Sequence, residues 1–525
     1  MLNPLDKGAA TTLTAANLNN DYSGTATDSM SFSSIAFDVA SSQFFAEFTY
    51  VSSSLIGSGI PGIGVADVST VGTGNISTTG TAVIYLDDGT KTVNGTNSSY
   101  GATWTTGDVV GVYVNSGTIV FYKNGVSQGN AATGLTGTYK FVVRGRSGTS
   151  RTFTIAANFG QRPFAYTPPT GFQSLNTLNL STPTIVNGAG YMAATLYTGT
   201  GSSQTISNAV NNVSFQPDLV WIKSRSAATD HKLTDAVRGT TKALSSNTTG
   251  AETTDTNGLT AFGSTGFTVG SDTNYNNNTA TYVAWQWKAN GAGVTNTNGS
   301  ITSTVSASTT AGFSVVTYTG TGANATVGHG LGVAPSMVIV KSRSNTSDWV
   351  AYHVGLPSAA YRIYLNYNLA QDSGAAAAAT WNSTAPSSSV FSVGTNINSN
   401  SSGWTFVAYC FAQVAGFSRF GSYTGNGSAD GPFVYLGFRP AFIMVKRTDT
   451  TGNWTIHDDR RLGYNGASAS KELYPNLSNA EGSDSMDQLS NGFKLRDTYA
   501  DVNASGGTYI YAAFAENPFK YSLAQ

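Results

Sequence analysis

The sequence lacks several features that would assign it to a class of protein. It has one cysteine, Cys410, so no disulfide can form within a single chain. Charged residues make up 10% of its 525 residues, against about 25% in ordinary soluble domains. No apolar run approaches the roughly 20 residues that cross a bilayer as a helix. Basic and acidic residues nearly balance, 27 against 28, so the composition favours neither nucleic acid nor anionic lipid as a partner.

What is present points to a folded, β-rich chain. Hydrophobic residues make up 40% and aromatic residues 11% of the sequence, which is enough to fill folded cores. The polarity comes mainly from Ser, Thr, Asn and 59 Gly, the residues of turns and loops. The first residues, "MLNPLDKGAATTL", show no basic and apolar segments of a secretory signal. We therefore expect a protein that is made in a host cytoplasm and released by lysis.

Four phrases recur three times in the same order. The lysine phrase reads "FQPDLVWIKSRS" at 215–226, "VAPSMVIVKSRS" at 333–344 and "FRPAFIMVKRTD" at 438–449. Each copy follows a "YTG" phrase, beginning at Tyr197, Tyr318 and Tyr423, and precedes two further strand-like pieces that end in "YVAWQW", "FVAYCF" or "YIYAAF". The three lysines, Lys223, Lys341 and Lys446, are 118 and 105 residues apart. Order and spacing together indicate three related segments of roughly 100 to 120 residues.

Each lysine ends a continuous apolar run, which predicts a strand covered on both faces. The closing pieces alternate instead, with mostly large residues on one face, as a half-buried strand does. We expect the lysine stems to pack along the end of the sheet with their ammonium groups in water. The alternative is a ligand site shared by the three segments.

The sequence before these repeats is different. "GDVVGVYV" and "TIVFYKNG" read as two strands joined by the turn Asn115-Ser116-Gly117, with a second turn at Lys123-Asn124-Gly125. This part resembles the SPRY domain, whose pattern of Gly-Asp-Val-Val-Gly, a hairpin and Phe-x-x-Asn-Gly matches 107–111 and Phe121 to Gly125. The closing stretch "ANFGQRPFAYTPPTGFQSL" also matches. The resemblance implies a concanavalin A-like β-sandwich.

We therefore predict an all-β chain of tandem antiparallel β-sandwiches, one SPRY-like and three mutually related. The predicted organisation is an N-terminal arm at 1–28, a SPRY-like domain at 29–175, and repeat domains at 176–290, 291–414 and 415–525.

The order of the parts also resembles a family of marine-phage virion proteins described as structural or tail-fibre-like. The resemblance rests on the SPRY-like domain, "LNLSTPTIVNGAGY", "TDHKLTDAVRGT" and the ending "YAAFAENPFKY". It implies a virion component and brings no catalytic residues with it.

The histidines are the first candidates for chemistry. His231, His353 and His457 fall at comparable places after the lysine phrase, one in each repeat. One histidine per domain is not a zinc site, unless all three meet at a three-fold axis. We expect structural histidines, no metal and no cofactor.

Binding residues are harder to predict. Sugars stack on exposed aromatic rings, and Trp104 and Trp381 lie outside the strongest strand phrases. Arg144 and Arg146 gather in "VRGRSGTSR" and could bind an anionic glycan, although a solvated hairpin tip also explains them. Trp349 and Trp454 occupy corresponding places and are expected in the core.

These observations predict a phage tail fibre or appendage that adheres to the host surface without turnover. The alternatives are a capsid-attached decoration or head fibre and, less favoured, a polysaccharide-degrading tailspike. The expected partners are other virion proteins, host glycans and further copies of the chain, with no nucleic acid and no membrane insertion. A homotrimer would raise avidity, and a partner would then order the segment 1–28.

Overall fold

The computed structural model describes residues 1–24, 29–54, 61–69, 81–145, 151–168, 170–461, 470–484 and 486–521. The prediction of an all-β chain is confirmed, because nearly all regular structure is antiparallel strand. The chain forms two compact units, residues 1–182 and 183–525.

The described residues of the first unit form a two-sheet sandwich. Its strands are β1 (Leu2–Lys7), β2 (Thr11–Thr14), β3 (Asn19–Gly24), β4 (Ser29–Asp38), β5 (Gln43–Ser53), β6 (Pro61–Asp67), β7 (Ala82–Leu86), β8 (Thr90–Val93), β9 (Thr96–Ser99), β10 (Val109–Asn115), β11 (Thr118–Lys123), β12 (Val126–Ala132), β13 (Thr138–Gly145), β14 (Arg151–Asn158) and β15 (Gln173–Ser174). One sheet has the order β1-β4-β13-β6-β7-β8-β9 and the other β12-β11-β10-β5-β14-β3-β2, with β15 beside β5.

Two predicted turns set the register of the hairpins β10–β11 and β11–β12. Ser116 and Gly117 both have positive φ, 45° and 85°, as do Asn124 and Gly125, 48° and 80°. Two central residues with positive φ make a type I′ turn, whose twist matches that of the flanking strands. Asn115 consequently pairs with Thr118.

Residues 1–24, the described part of the predicted arm, belong to the first sandwich. Strand β1 pairs with β4, and β3 pairs with β14, so residues 2–24 complete both sheets of the sandwich. Leu2 and Tyr22 are buried in its core. The prediction of a separate N-terminal arm is wrong. A segment that looks too polar to fold alone can still form strands when it pairs with the edge strands of a larger sheet.

The second unit carries the three repeats. Its strands are β16 (Met192–Thr198), β17 (Gln204–Ser207), β18 (Leu219–Ser224), β19 (Lys232–Asp235), β20 (Lys242–Ser245), β21 (Thr253–Thr254), β22 (Leu259–Gly263), β23 (Gly266–Val269), β24 (Thr281–Trp287), β25 (Val294–Asn296), β26 (Ser303–Ser308), β27 (Phe313–Thr319), β28 (Ala325–Gly328), β29 (Met337–Ser342), β30 (Val350–His353), β31 (Ile363–Tyr364), β32 (Val390–Val393), β33 (Thr405–Phe411), β34 (Ser418–Thr424), β35 (Phe433–Tyr435), β36 (Phe438–Arg447), β37 (Trp454–Asp458), β38 (Ser470–Glu472), β39 (Gly482–Asp484), β40 (Met486–Leu489), β41 (Gly492–Leu495) and β42 (Thr508–Pro518). Its α-helices have four residues each: α1 (Thr273–Asn276), α2 (Ala375–Ala378), α3 (Ile397–Asn400) and α4 (Ala500–Asn503).

The three repeats share one strand order. The main sheets contain the series β16-β24-β18-β19, β27-β33-β29-β30 and β34-β42-β36-β37, in which the "YTG" strand pairs with the closing strand and the closing strand with the lysine strand. Smaller sheets, β17-β23-β22, β28-β32 and β35-β41-β40, accompany them. The repeats fold within one compact unit rather than as isolated domains.

The lysine strands are buried on both faces, as their continuous apolar runs predict. In β18, Val220 and Ile222 pack into a core that belongs to the first repeat. Leu219 and Trp221, on the opposite face, pack into a core that all three repeats share. The repeats therefore stabilise one another by burying the second face of each main sheet.

Backbone contacts between repeats close a ring. The amide of Glu252 in repeat 1 donates to the carbonyl two residues after the lysine of repeat 2, at 2.8 Å. The same bond joins Gln371 of repeat 2 to repeat 3 at 3.0 Å, and Glu481 of repeat 3 to repeat 1 at 2.9 Å. We call these contacts seam 1/2, seam 2/3 and seam 3/1. Three equivalent bonds in cyclic order give the unit quasi-three-fold symmetry.

The "YTG" phrase has a structural explanation. In repeat 2, Tyr318 stacks on Phe406 with ring centroids 5.2 Å apart, and its hydroxyl donates to the carbonyl of Ser399. Asn400 accepts from the amide of Thr321 and donates to two carbonyls, which fixes the following loop. Tyr197 with Asn276, and Tyr423 with Asn503, make the corresponding bonds.

Candidate functional site

The three lysines occupy the same register position. Lys223, Lys341 and Lys446 each pair with the third residue of their closing strand. All three are 0% exposed. The expectation that their ammonium groups reach water is therefore wrong.

Carbonyl oxygens surround the ammonium groups instead. Lys341 donates across seam 1/2 to Thr249 and within its own repeat to Ser342, both at 3.1 Å. Lys446 donates to Asn368 across seam 2/3. Burial lowers the pKa of each of the three lysines to about 8, because a desolvated ammonium is less favourable than a neutral amine. These lysines hold loops and seams, and the structure gives them no opening to a ligand.

The three histidines do not share a position. His231 lies eight residues after its lysine, at the place that Trp349 and Trp454 hold in the other repeats. His353 pairs with Met337, four residues before its lysine, whereas His457 pairs with Ile443, three residues before its lysine. All three are buried, and burial lowers the pKa of each. The expected equivalence of the histidines is wrong, although their structural role agrees with their burial.

The position of His353 shows how the seams differ. In repeats 1 and 3 an aspartate stands there, Asp235 or Asp458, and an arginine three residues later is ion-paired to it with both side chains 0% exposed. Across seam 1/2, Tyr409 donates to Asp235 at 2.9 Å, and across seam 3/1, Trp285 donates to Asp458 at 2.9 Å. Seam 2/3 has no such pair in the described residues at this position: His353 Nε2 lies 3.0 Å from the carbonyl of Tyr511.

The predicted sugar-binding tryptophans are buried. Trp104 is 1% exposed and packs against Tyr50 and Tyr85. Trp381 is 2% exposed and packs edge-on against Tyr352. A ring enclosed in this way cannot stack on a sugar, so both predictions are wrong.

The predicted arginines do not form a surface patch in the part of the chain that is described. Arg144 lies in β13 and is 3% exposed. Arg146 lies outside the described residues. Trp349 and Trp454 are buried at equivalent positions, as expected, and each indole donates across a seam, to Ser245 and Tyr364 respectively.

A groove lined by both polar and apolar side chains crosses the outer face of the first unit. Its floor is formed by the outward residues of β5 and β14, where Ala156 lies opposite Thr49 and Asn158 opposite Glu47. Its volume is about 270 Å³. The inward residues of β5 fill the sandwich core: Ala46, Phe48 and Tyr50. Strand alternation thus places one set of side chains in the groove and the other in the core.

One wall of the groove is the chain that follows β14. The carboxylate of Glu47 accepts from the amides of Ala165 and Tyr166, at 2.7 and 2.9 Å. Asn158 donates to the carbonyl of Pro163. Both side chains are 3% exposed. Two buried side chains therefore fix the wall against the sheet by bonds to its backbone.

Arg162 stands at this wall. Its side chain is exposed, and the described residues offer it neither an ion pair nor a hydrogen bond. Thr49 and Val51 lie on the sheet across from it, and Val51 is 48% exposed. The groove thus combines a guanidinium, a hydroxyl and small apolar surfaces, a mixture suited to binding a polar ligand.

The described residues show no sign of a metal site or of a membrane-spanning helix. No three His, Cys, Asp or Glu side chains among them are placed so that they could hold a metal ion. None of the helices described has the length and apolarity to cross a membrane.

Comparison with known families agrees with the division of the chain. The family model described as "Domain of unknown function (DUF7483)" matches residues 187–518, more than half of the 525 residues. The chain belongs to the DUF7483 family. The DUF7483 match begins just before β16 and ends at the last residue of β42, so it spans the whole ring of three repeats.

A SPRY family model matches residues 55–155, which confirms the resemblance of the first unit. Similar solved structures include the SPRY domain of human HERC1, with 16% identity over 31% of this chain and 100% of that one, at a TM-score of 0.27. Another human SPRY domain has 14% identity over 29% and 98% of the two chains, at a TM-score of 0.24. No curated protein matches this DUF7483 chain.

Arg162 and the groove were not predicted from the sequence. Glu47 alternates with the core residues of "FFAEF", so its outward position could have been predicted. The contact between this strand and the wall depends on bonds from Ala165 and Tyr166 to Glu47, 118 and 119 residues apart in sequence, and no local pattern reveals it.

Proposed function

We propose that this DUF7483 protein is a bacteriophage virion component, a tail fibre or similar appendage that adheres to the host surface without chemical turnover. The observation that carries the proposal is the contrast between the repeated polar groups and the groove. The lysines and asparagines that recur in the repeats are bonded within the fold. The groove of the first unit, in contrast, is open and carries a guanidinium available to a ligand.

Composition supports the same proposal. A neutral surface rich in Ser, Thr and Asn suits many weak contacts, and weak contacts become useful when copies are linked. We keep a homotrimer as part of the proposal, with contacts through the sides of the sandwiches. Residues 2–24 are strands of their own sandwich, so we no longer assign them to the trimer interface. The mass of the purified protein at micromolar concentration tests this part.

Adhesion is tested with purified full-length protein and cells of the bacterium that the phage infects. We expect saturable binding to cells and no release of new reducing ends from their surface polysaccharide. Release of reducing ends would replace the proposal with the tailspike alternative. Binding to purified capsids but not to cells would replace it with the decoration or head-fibre alternative.

A further inference from the structure

We infer that the groove of the first unit binds a hexuronate residue of an acidic polysaccharide, with Arg162 pairing the carboxylate. This inference rests on the proposed adhesive function and names the class of ligand. It starts from Arg162, which has no partner among the described residues and stands at the wall of a groove of about 270 Å³. A guanidinium presents its N–H donors as a planar fork that fits a carboxylate in a bidentate pair.

The other charge in the groove does not oppose an anion strongly. Glu47 is 3% exposed, and each of its oxygens already accepts a backbone amide. Its carboxylate is therefore committed to holding the wall, whereas the exposed guanidinium remains available. An acidic ligand would give Arg162 a counter-charge that none of the described residues supplies.

The remaining surfaces suit a sugar ring. Val51 and Pro163 offer apolar contact to ring C–H groups, and the hydroxyl of Thr49 can exchange hydrogen bonds with a sugar hydroxyl. The volume lies just below the 300–1,000 Å³ usual for ligand pockets. The groove thus accommodates about one sugar residue.

The open sheet beside the groove gives the rest of a polysaccharide chain a path. Thr152 is exposed on β14, and beyond that strand the outer face continues over β3 and β2, where Ser23, Thr12 and Thr14 are exposed. These side chains carry hydroxyl groups and no charge. Asp21 lies on the same face and is half-buried, and its two carboxylate oxygens accept hydrogen bonds from Thr14 and Thr154, both at 2.6 Å. A chain with one uronate in the groove that extends across this face therefore meets one carboxylate, which is already bonded within the fold.

The test is a titration of the full-length protein with trisaccharides of β-1,4-linked glucuronic acid and α-1,4-linked galacturonic acid. Their neutral glucose and galactose counterparts serve as ligand controls. We expect at least one acidic trisaccharide to bind about two- to fivefold more tightly than its neutral counterpart, since an ion pair with an exposed guanidinium is worth up to about 1 kcal/mol. Equal binding of acidic and neutral sugars, or no binding of either acidic one, would overturn the inference.

Variants locate the site. Arg162→Gln removes the guanidinium at an exposed position, and we expect it to abolish the preference for the acidic sugar. Val51→Glu places a negative charge at an exposed position of the same groove. We expect it to lower the affinity for the acidic sugar below that of the Arg162→Gln variant. Lys7→Gln removes one positive charge from the same unit outside the groove and should leave binding unchanged. Unchanged acidic-sugar affinity in folded Arg162→Gln protein would overturn the inference.

The same variants separate this inference from the proposed adhesion. If wild-type and Arg162→Gln proteins bind cells equally and neither prefers uronates, adhesion stands and the groove assignment fails. If the wild-type protein binds uronates through Arg162 but does not bind host cells, the groove assignment stands and the adhesive function fails.

Discussion

Asp458 gives the sharpest test of how the repeats hold together. Its carboxylate is 0% exposed and accepts from Arg461 Nε at 2.6 Å and, across seam 3/1, from the indole of Trp285 at 2.9 Å. Asp458→Ala leaves the buried guanidinium of Arg461 with Glu481, at 3.4 Å, as its remaining acidic partner. It also leaves the indole of Trp285 without its acceptor. Removing one partner of a buried ion pair costs about 3–5 kcal/mol, so we expect a loss of that size in the free energy of unfolding.

Asp449 provides a matched control in the same repeat. Its side chain is 35% exposed and pairs with Arg447 at 2.9 Å. A pair that water can reach contributes about 0–1 kcal/mol, so Asp449→Ala should cost much less than Asp458→Ala. Both variants remove one carboxylate that pairs with an arginine. The difference between their losses of unfolding free energy therefore reports the effect of burying the pair.

Seam 2/3 suggests a rescue. Where repeat 3 has Asp458 and Arg461, repeat 2 has His353 and Leu356. The double variant Asp458→His with Arg461→Leu should therefore be more stable than Asp458→Ala, since no unpaired charge remains buried. Replacing a buried ion pair by apolar groups is often close to neutral.

Tryptophan fluorescence during denaturation with urea measures these effects. Seven of the eight tryptophans lie after residue 182, so the signal reports mainly the DUF7483 unit. A cost below about 1 kcal/mol for Asp458→Ala, no larger than that of Asp449→Ala, would refute the assigned role of the seam pair. The reasoning fails equally if the double variant is less stable than Asp458→Ala.

Three further predictions concern buried polar groups. Burial lowers the pKa of Lys341 from 10.5 to about 8. Between these two pH values the unfolded chain therefore binds more protons than the folded chain. As the pH rises from 8 to 10.5, the wild-type protein should gain up to about 3 kcal/mol of stability relative to Lys341→Met. Burial lowers the pKa of His353 from 6.5 to about 4. The wild-type protein should therefore lose stability as the pH falls from 6.5 towards 4, because the unfolded chain binds the proton more readily. His353→Gln should reduce this loss of unfolding free energy by up to about 3 kcal/mol. Asn400→Ala removes an acceptor for one amide and a donor to two carbonyls and should cost about 2–3 kcal/mol. Urea denaturation across pH tests the first two, and parallel slopes for variant and wild type would contradict them; for Asn400→Ala, a cost below about 0.5 kcal/mol in the same assay would contradict the third.

The parts of the fold that local patterns determine were predictable. A continuous apolar run such as Leu219 to Ile222 predicts a strand buried on both faces, and the structure confirms it. The Asn124-Gly125 turn predicts a hairpin because few residues tolerate positive φ. These signals act within about ten residues, where sequence order and spatial order coincide.

The shared core was not predictable in the same way. Leu219 and Trp221 would be buried equally well by a neighbouring sheet of their own repeat or by another repeat, and alternation does not distinguish the two. The error over the ammonium groups has the same origin. The aliphatic part of a lysine side chain normally packs on apolar surface while its ammonium group reaches water. Here the ammonium group of Lys341 lies at a seam, where it donates to the carbonyl of Thr249 from another repeat.

The misplaced histidines show a signal that was available. Counting eight residues from each lysine reaches His231, Trp349 and Trp454, which the structure places at one position. Grouping residues by type instead aligned His231 with His353 and His457, whose offsets from their lysines are different. Residues at the same distance along the chain from a buried strand occupy the same register position. Residues of the same type need not do so.

The three seams of the DUF7483 unit differ in their charged pairs. Seams 1/2 and 3/1 carry the buried Asp–Arg pairs and also an Arg–Glu pair each, Arg343–Glu252 and Arg225–Glu481. At seam 2/3 the corresponding backbone bond joins Thr448 and Gln371, which carry no charge. Since a three-fold assembly of identical chains would repeat the same contacts at every seam, these differences are possible only because one chain encodes all three repeats. The ring thus obtains the mutual burial of a trimer without depending on protein concentration, and any homotrimer of the whole chain would have to use surfaces other than these seams.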